Sequence, residues 1–377
     1  MIVLNARFLT QELRGVQRFA EQICLALKTL RSDLQFVCPA DIKMHETARL
    51  LDAQAIGRHS GHHWEQVDLP RYLRSQGKPL LVSLGATAPL FYGNQIATHH
   101  DITYVRHPES YSWKFRSAYR VMTPLLLKRI KTLITVSQFS KREISSFYDF
   151  PTDKVMVVPN AVGPEFQPGA PLRSGQQYLL AVSSPSAHKN FARMITAFLA
   201  LKGHDQVELR IVGGGGAVFS DPDLERLASS DPRIKFLGRL SDQALIEQYQ
   251  NAAAFVFPSL YEGFGIPPLE AQACGCPVLA ANAASIPEVL QSSALYFDPL
   301  DVEHISRAMS LVLNNLTIRQ HLRTLGLQNV SRYSWEESAQ LISDRIDSLT
   351  HQKKPMSATT QARPLAPRSI HENRNRP

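Results

Sequence analysis

At 377 residues and 44% hydrophobic content the chain has the make-up of an ordinary globular protein too long for one core, so two α/β domains are expected. No run reaches the roughly 20 apolar residues that a membrane-spanning helix needs. The net charge of +8 admits nucleic acid, anionic lipid headgroups or a phosphorylated sugar as partners, but the basic residues are dispersed among acids without a nucleic-acid motif, so no nucleic-acid partner is expected.

In chain order, the opening MIVLNARF reads as a strand, with no basic n-region or apolar h-region, which predicts a protein that stays in the compartment where it is made. A loop with Arg14 and Gly15 follows, then an amphipathic helix to about Leu30. LQFVCP, LLVSL, IATHH, TLITVS and VMVVPN read as further strands separated by helices, the pattern of a doubly wound parallel sheet. Between Trp113 and Lys131 lie Lys114, Arg116, Arg120, Lys128, Arg129 and Lys131, interleaved with Trp113, Phe115 and Tyr119; this is either a solvated helix face or a surface that docks on a membrane. GPEFQPGAPLRSGQQ, residues 163–177, is a linker. A second series then begins: YLLAVSS, a helix from about Asn190 to Leu201, VELRIVG, IKFLG, AAAFVFP and CPVLAA. Residues 1–165 are therefore expected to form one Rossmann-like domain and 170–332 another, with a closing helix over 333–350 and a disordered tail over 352–377. Cys24, Cys38, Cys274 and Cys276 have no zinc spacing and fit a reducing, cytoplasmic setting; Cys274 and Cys276 read as packing residues rather than ligands. Gly213 to Gly216 follow a strand but lack the helix, third glycine and later acid of a dinucleotide fingerprint.

The segment FPSLYEGFGIPPLEAQACGCP carries most of the chemistry. A strand ends at Pro258, a loop holds Gly263 and Gly265, and Pro267 and Pro268 open a helix, where a missing N–H costs nothing. Free backbone N–H groups and a helix N-terminus then lie together, an anion site suited to a diphosphate. Glu270 falls about one turn into the helix, and Glu262 on the loop at the C-terminal edge of the sheet, where open α/β folds bind ligands. Two carboxylates beside an anion site fit hydrogen bonding to sugar hydroxyls; a capped surface helix is the alternative.

EGFGIPPLEAQACGCPV resembles the signature of the family-four retaining glycosyltransferases, which have the GT-B fold: two Rossmann-like domains facing across a cleft. The resemblance implies that Glu262 meets the donor sugar, that Glu270 binds the nucleotide ribose, and that backbone groups of Phe264, Gly265 and Ile266 contact sugar and phosphate. AVSSPSAHKNFARMITAF resembles the strand, loop and Lys-Asn element of the family, placing Ser184 and Lys189 on the donor, with the Lys189 ammonium on its diphosphate. Many relatives have an arginine beside this lysine; here the position is His188, which puts the second cation in doubt. RGVQRFAEQI resembles the family's glycine loop, implying that Gly15 lets backbone approach the phosphates and that Arg18 is close by, on the acceptor side. ATHHDITYVRHPE is similar to its strand-edge His-Asp segment, implying His100 as a catalytic candidate near the anomeric carbon and Asp101 beside the acceptor, while His99 belongs to the strand. SGHHWEQVDLP, VSQFSKREI, VPNAVGPEF and SRYSWEESA fit the family as well, so the resemblance covers roughly residues 1–350.

What the resemblance implies is retaining, metal-independent hexosyl transfer without a cofactor, the nucleotide sugar being a substrate and GDP or UDP a product. The TIHD-like and EGFG segments resemble mannosyltransferases of bacterial polysaccharide assembly, pointing to GDP-mannose as donor and a saccharide or lipid-linked saccharide as acceptor, with peripheral association at the inner membrane face. A transferase using another donor such as UDP-glucose, or a non-catalytic nucleotide-sugar or membrane-surface binding protein, is the alternative. Sugar-nucleotide epimerases usually lack the EGFG spacing, and phosphorylases need a cofactor lysine that these motifs do not place.

Overall fold

The computed structural model describes residues 1–169, 177–183, 186–213, 226, 227 and 230–351. Ser184, residues 214–216, part of the linker and the segment 352–377 read as a tail lie outside the described residues.

Two sheets carry the chain. The first contains β1 (Ile2–Asn5), β2 (Leu34–Cys38), β3 (Gln54–Ala55), β4 (Leu80–Ser83), β5 (Gln95–Thr98), β6 (Thr132–Thr135) and β7 (Val155–Val157), in the order 3-2-1-4-5-6-7. The second contains β8 (Tyr178–Val182), β9 (Glu208–Val212), β10 (Ile234–Gly238), β11 (Ala254–Phe257), β12 (Val278–Ala281) and β13 (Leu295–Phe297), in the order 10-9-8-11-12-13. Every pairing is parallel. The central strands are buried on both faces, which is why they read as largely apolar runs without regular alternation. The edge strands β3 and β13 are short and partly exposed, and they had no such signal.

In each sheet the order reverses beside the first strand, between β1 and β4 and between β8 and β11. Loops leaving strands on opposite sides of this switch point diverge and open a crevice at the C-terminal edge. The loops after β1, β4 and β5 therefore face the loops after β8, β9 and β11. The closing helix, Trp335–His351, returns to the first domain. Arg31 donates to Ser343 Oγ at 3.0 Å and Asp347 Oδ1 at 2.8 Å, and Arg345 Nε donates to Thr132 Oγ1 at 2.7 Å. Trp335 stands edge-on to Phe19, 6.1 Å between ring centres. Among the described residues no helix is long and apolar enough to cross a membrane.

Candidate active site

The signature loop is built to present N–H groups. Gly265 has φ +93°, a left-handed conformation that turns the chain directly into the helix Ile266–Ala273. The carbonyls behind it are taken by hydroxyls: Ser285 Oγ donates to Glu262 O at 2.9 Å and Phe264 O at 3.3 Å, while Ser137 and Ser140 donate to Gly263 O at 2.7 and 3.1 Å. What the loop retains for a ligand is its N–H donors, backed by the helix N-terminus. The Phe264 ring is buried against Tyr333, so only its backbone faces the crevice.

Opposite, the Lys-Asn element is fixed by Asn190. This residue adopts φ +60°, a conformation asparagine tolerates, and its Nδ2 donates to Pro258 O at 3.1 Å and Pro299 O at 2.7 Å. Leu260 N donates to His188 O at 2.8 Å, tying the two loops together. The result is a half-buried ion pair, Lys189 Nζ donating to Glu262 Oε1 at 2.7 Å. His188 is not a second cation: burial, reinforced by the neighbouring Lys189 charge, lowers its pKa to about 4. Its Nδ1 instead bonds Ser110 Oγ of the other domain at 2.9 Å.

Glu270 is buried, and burial raises its pKa to about 7, with Arg18 and the Tyr249 hydroxyl (3.1 Å) only partly offsetting that cost. It lines a cavity of about 620 Å³ together with Leu13, Arg14, Gly15, Arg18, Gly213, Arg239 and Ile266. Arg18, expected on the acceptor side, lies one turn into the helix Gly15–Leu30; its side chain points across the crevice, bonds Asp242 Oδ2 at 3.0 Å and lines the cavity that holds Glu270. Cys274 and Cys276 are buried and unpaired with each other, and burial pushes the Cys274 thiol up to about 12.

A second cavity, of about 530 Å³, lies within the first domain. His100 and Asp101 line it. The His100 ring packs edge-on to Phe19 at 5.0 Å, its Nε2 is buried without a partner, and burial lowers its pKa. Asp101 accepts from Thr103 N at 2.8 Å and Oγ1 at 2.6 Å, and it packs so closely on Gly263 that a Cβ there would come within 2.7 Å of its Oδ2. His99 also lines this cavity, bonded to Tyr104 Oη at 3.1 Å and with its pKa lowered to about 4 by burial. Gly15 and Arg14 are shared by both cavities. Among the described residues no group of three or more His, Cys, Asp or Glu could hold a metal.

Several residues in and around these walls escaped sequence reasoning. Glu65 is 1% exposed and accepts from Asn5 Nδ2 at 2.9 Å, Arg7 Nε at 3.2 Å and Thr87 Oγ1 at 2.7 Å. Burial works to raise its pKa, but His62, Arg7, Thr87 and Asn5 outweigh it and hold the carboxyl ionised below its ordinary value. The available signal was the segment SGHHWEQVDLP, which holds Glu65 beside Trp64. Phe115 and Tyr119, read as part of an aromatic basic face, instead line the cavity, stacked at 4.2 Å. Glu288 accepts from the N–H groups of Gln138 and Phe139 at 2.7 and 2.8 Å, capping a helix of the other domain.

Two doubly wound domains with a nucleotide-sized cavity between them and a second cavity beside it define a GT-B glycosyltransferase. Residues 13–166 match the family model described as Glycosyltransferase Family 4, and residues 164–326 that described as Glycosyl transferases group 1. The chain is 30% identical over 257 residues to the O-antigen chain mannosyltransferase B of Escherichia coli, covering 64% of this chain and 67% of that one. It is also 30% identical over 272 residues to the O-antigen chain mannosyltransferase RfbU of Salmonella typhimurium, covering 71% of this chain and 73% of that one. The structure of a sucrose-phosphate synthase from Thermosynechococcus elongatus superposes with a TM-score of 0.74 at 16% identity, over 93% of this chain and 99% of that one, a likeness of fold. The chain belongs to this glycosyltransferase family.

Proposed function

We propose that the enzyme moves a mannosyl residue from GDP-mannose, with retention of anomeric configuration, to a saccharide or lipid-linked saccharide in polysaccharide assembly. The observation that carries this reading is the meeting of two cavities at Arg14 and Gly15. The nucleotide occupies the cavity that holds Glu270, the acceptor the one that holds His100 and Asp101, and the diphosphate and transferred sugar lie at their junction. Glu270 accepts from ribose hydroxyls. The signature loop and Lys189 hold the diphosphate, and Glu262, paired with Lys189, accepts from hydroxyls of the donor sugar. The mannosyl moiety and the polysaccharide setting are those in the names of the curated relatives.

The acceptor hydroxyl attacks the anomeric carbon from the side the diphosphate leaves. The bond from that carbon to the phosphate oxygen breaks, a bond to the acceptor oxygen forms, and the departing phosphate takes the acceptor's proton. Lys189 and the helix N-terminus at Gly265 stabilise the charge that develops on the leaving group. No cofactor takes part in this scheme, the nucleotide sugar being a substrate and GDP the product.

Trp113 (66% exposed) and Val121 (63%) lie outside, on the same helix as Arg120 and near Lys128. This apolar and cationic face suits peripheral docking on an anionic membrane at its inner, cytoplasmic side. Nucleotide release measured over a panel of donors tests the reading: GDP-mannose should be turned over in preference to UDP-glucose. Glu262→Ala and His100→Ala variants that transfer sugar as fast as wild type would overturn the site assignment.

A further inference from the structure

A diphosphate at the junction of the two cavities meets few free charges. Lys189 is shared with Glu262 at 2.7 Å, and His188 beside it is neutral and turned to Ser110 Oγ at 2.9 Å. Most other cations of the cavity walls are engaged as well. Arg7 is held by Glu65 at 3.2 Å, His62 lies 3.6 Å from the same carboxylate, and Arg18 pairs with Asp242 at 3.0 Å and Glu165 at 3.4 Å. His99 and His100 are kept neutral by burial. Arg239 has no such partner among the described residues, but it lines the nucleotide cavity alone, at the end of the edge strand β10, two strands away from β8.

Arg14 differs from all of these. Among the described residues its guanidinium makes no ion pair and no hydrogen bond, and it lines both cavities. It is the N-cap residue of the helix Gly15–Leu30, extended at φ −138° and ψ −179°, and its carbonyl accepts from Arg18 N at 2.8 Å. Its side chain has no capping duty, and the first turn of this 16-residue helix has neither a side-chain cap nor an acid. A cation at the positive end of a helix is unfavourable, and an anion placed between the two removes the cost. There is room for one: a Cβ on Gly15 would meet nothing within 4 Å. Gly15 also shares the nucleotide cavity with Ile266 and Pro267, which open the signature helix of the second domain. Two helix N-termini, one from each domain, therefore face one cavity, with an unpaired guanidinium beside the first.

Resting on the glycosyl-transfer reading, we infer that Arg14 is a catalytic residue: it binds the donor diphosphate from the first domain and supplies the second cation on the leaving group, while Lys189 holds it from the second. When the bond from the anomeric carbon to the phosphate oxygen breaks, its electron pair stays on that oxygen, and the acceptor's proton passes to the same phosphate. Arg14 and the N–H groups at Gly15 stabilise the charge that develops there. The guanidinium fork suits the task because it can donate to two phosphate oxygens at once. Since the two cations belong to different domains, the complete clamp forms only across the closed crevice.

The test uses the whole chain and the variants Arg14→Met and Arg14→Lys. Arg14 is exposed, so methionine keeps the stem without disturbing the core, and the melting temperature should match that of wild type. Arg14→Met should bind GDP about tenfold more weakly in calorimetry, and its kcat for GDP release from GDP-mannose should fall by at least about tenfold. Guanosine has no phosphate, so its affinity, read by saturation-transfer NMR, should stay within about twofold of wild type. Arg14→Lys keeps the charge without the fork and should recover part of both losses. The inference is overturned if Arg14→Met binds and turns over nucleotide as wild type does, which would make Arg14 a solvated side chain. Equal losses for guanosine and GDP overturn it too, since they place Arg14 on the nucleoside rather than the diphosphate. Failure of the donor reading looks different: wild type itself would bind GDP and UDP no better than guanosine and uridine, and the inference would fall with it.

Discussion

Replacing Glu270 by glutamine separates what this carboxylate does for the donor from what it costs the fold. Burial raises its pKa to about 7 from the free value of 4.5. A carboxyl with a raised folded pKa binds more protons in the folded state than in the unfolded one. Its contribution to stability therefore declines as the pH rises from 4.5 to 7 and is fully unfavourable above that window. At about 1.36 kcal/mol per pKa unit, the cost is roughly 3 kcal/mol at pH 8 and about 1 kcal/mol at pH 5. Glutamine still accepts the Tyr249 hydrogen bond and carries no charge. E270Q should therefore melt about 7 °C above wild type at pH 8, at roughly 2 °C per kcal/mol, and about 2 °C above it at pH 5. Fluorimetric melting across that pH range reads the difference. A variant less stable than wild type at pH 8, or a difference that does not change with pH, refutes the reasoning. The same variant should bind GDP about tenfold more weakly, because a neutral amide oxygen is a poorer acceptor for ribose hydroxyls than a carboxylate.

Lys189→Ala should lower kcat for GDP-mannose by about 100-fold or more, read as GDP release under saturating substrates, since the leaving diphosphate loses its cation. Glu288→Ala removes the acceptor for the Gln138 and Phe139 N–H groups, a cap of about 1 kcal/mol, and small-angle scattering of the free enzyme should show a larger radius of gyration. Gly263→Ala places a Cβ 2.7 Å from Asp101 Oδ2; the two loops must part, and kcat/KM should fall about 100-fold while the melting temperature stays near that of wild type. Reversing the charges of Arg116, Arg120 and Lys128 should abolish co-sedimentation with vesicles containing anionic lipid, and unchanged co-sedimentation removes the docking face.

Where local chemistry sets the backbone, the sequence was legible. The short, largely apolar and β-branched runs that became β4, β6, β11 and β12 lack inside–outside alternation, the pattern of strands in a parallel sheet covered on both faces. The Gly-Pro-Pro entry into the signature helix announces a helix start with exposed donors. Asn190 and Gly265 occupy the left-handed conformations that their residue types favour. Strands β3 and β13 were missed because two or three half-exposed residues at a sheet edge leave little pattern to read.

By itself, then, the sequence determined two doubly wound units and the anion-binding loop of the second, since period, proline placement and glycine conformation are local properties. Which groups meet across space was decided by tertiary structure alone. The direction in which Arg18 points depends on a helix of one domain facing Asp242 of the other. Phe115 and Tyr119 share a helix with an exposed Trp113, and only packing against Tyr104 and Tyr111 sets them along the cavity wall. His188 is neutral because the closed crevice buries it beside Lys189, and Glu65 is ionised because Arg7, Asn5 and Thr87 arrive from distant segments to bond it. Burial and electrostatic compensation are properties of the assembled molecule, and they set the charge states on which this site depends.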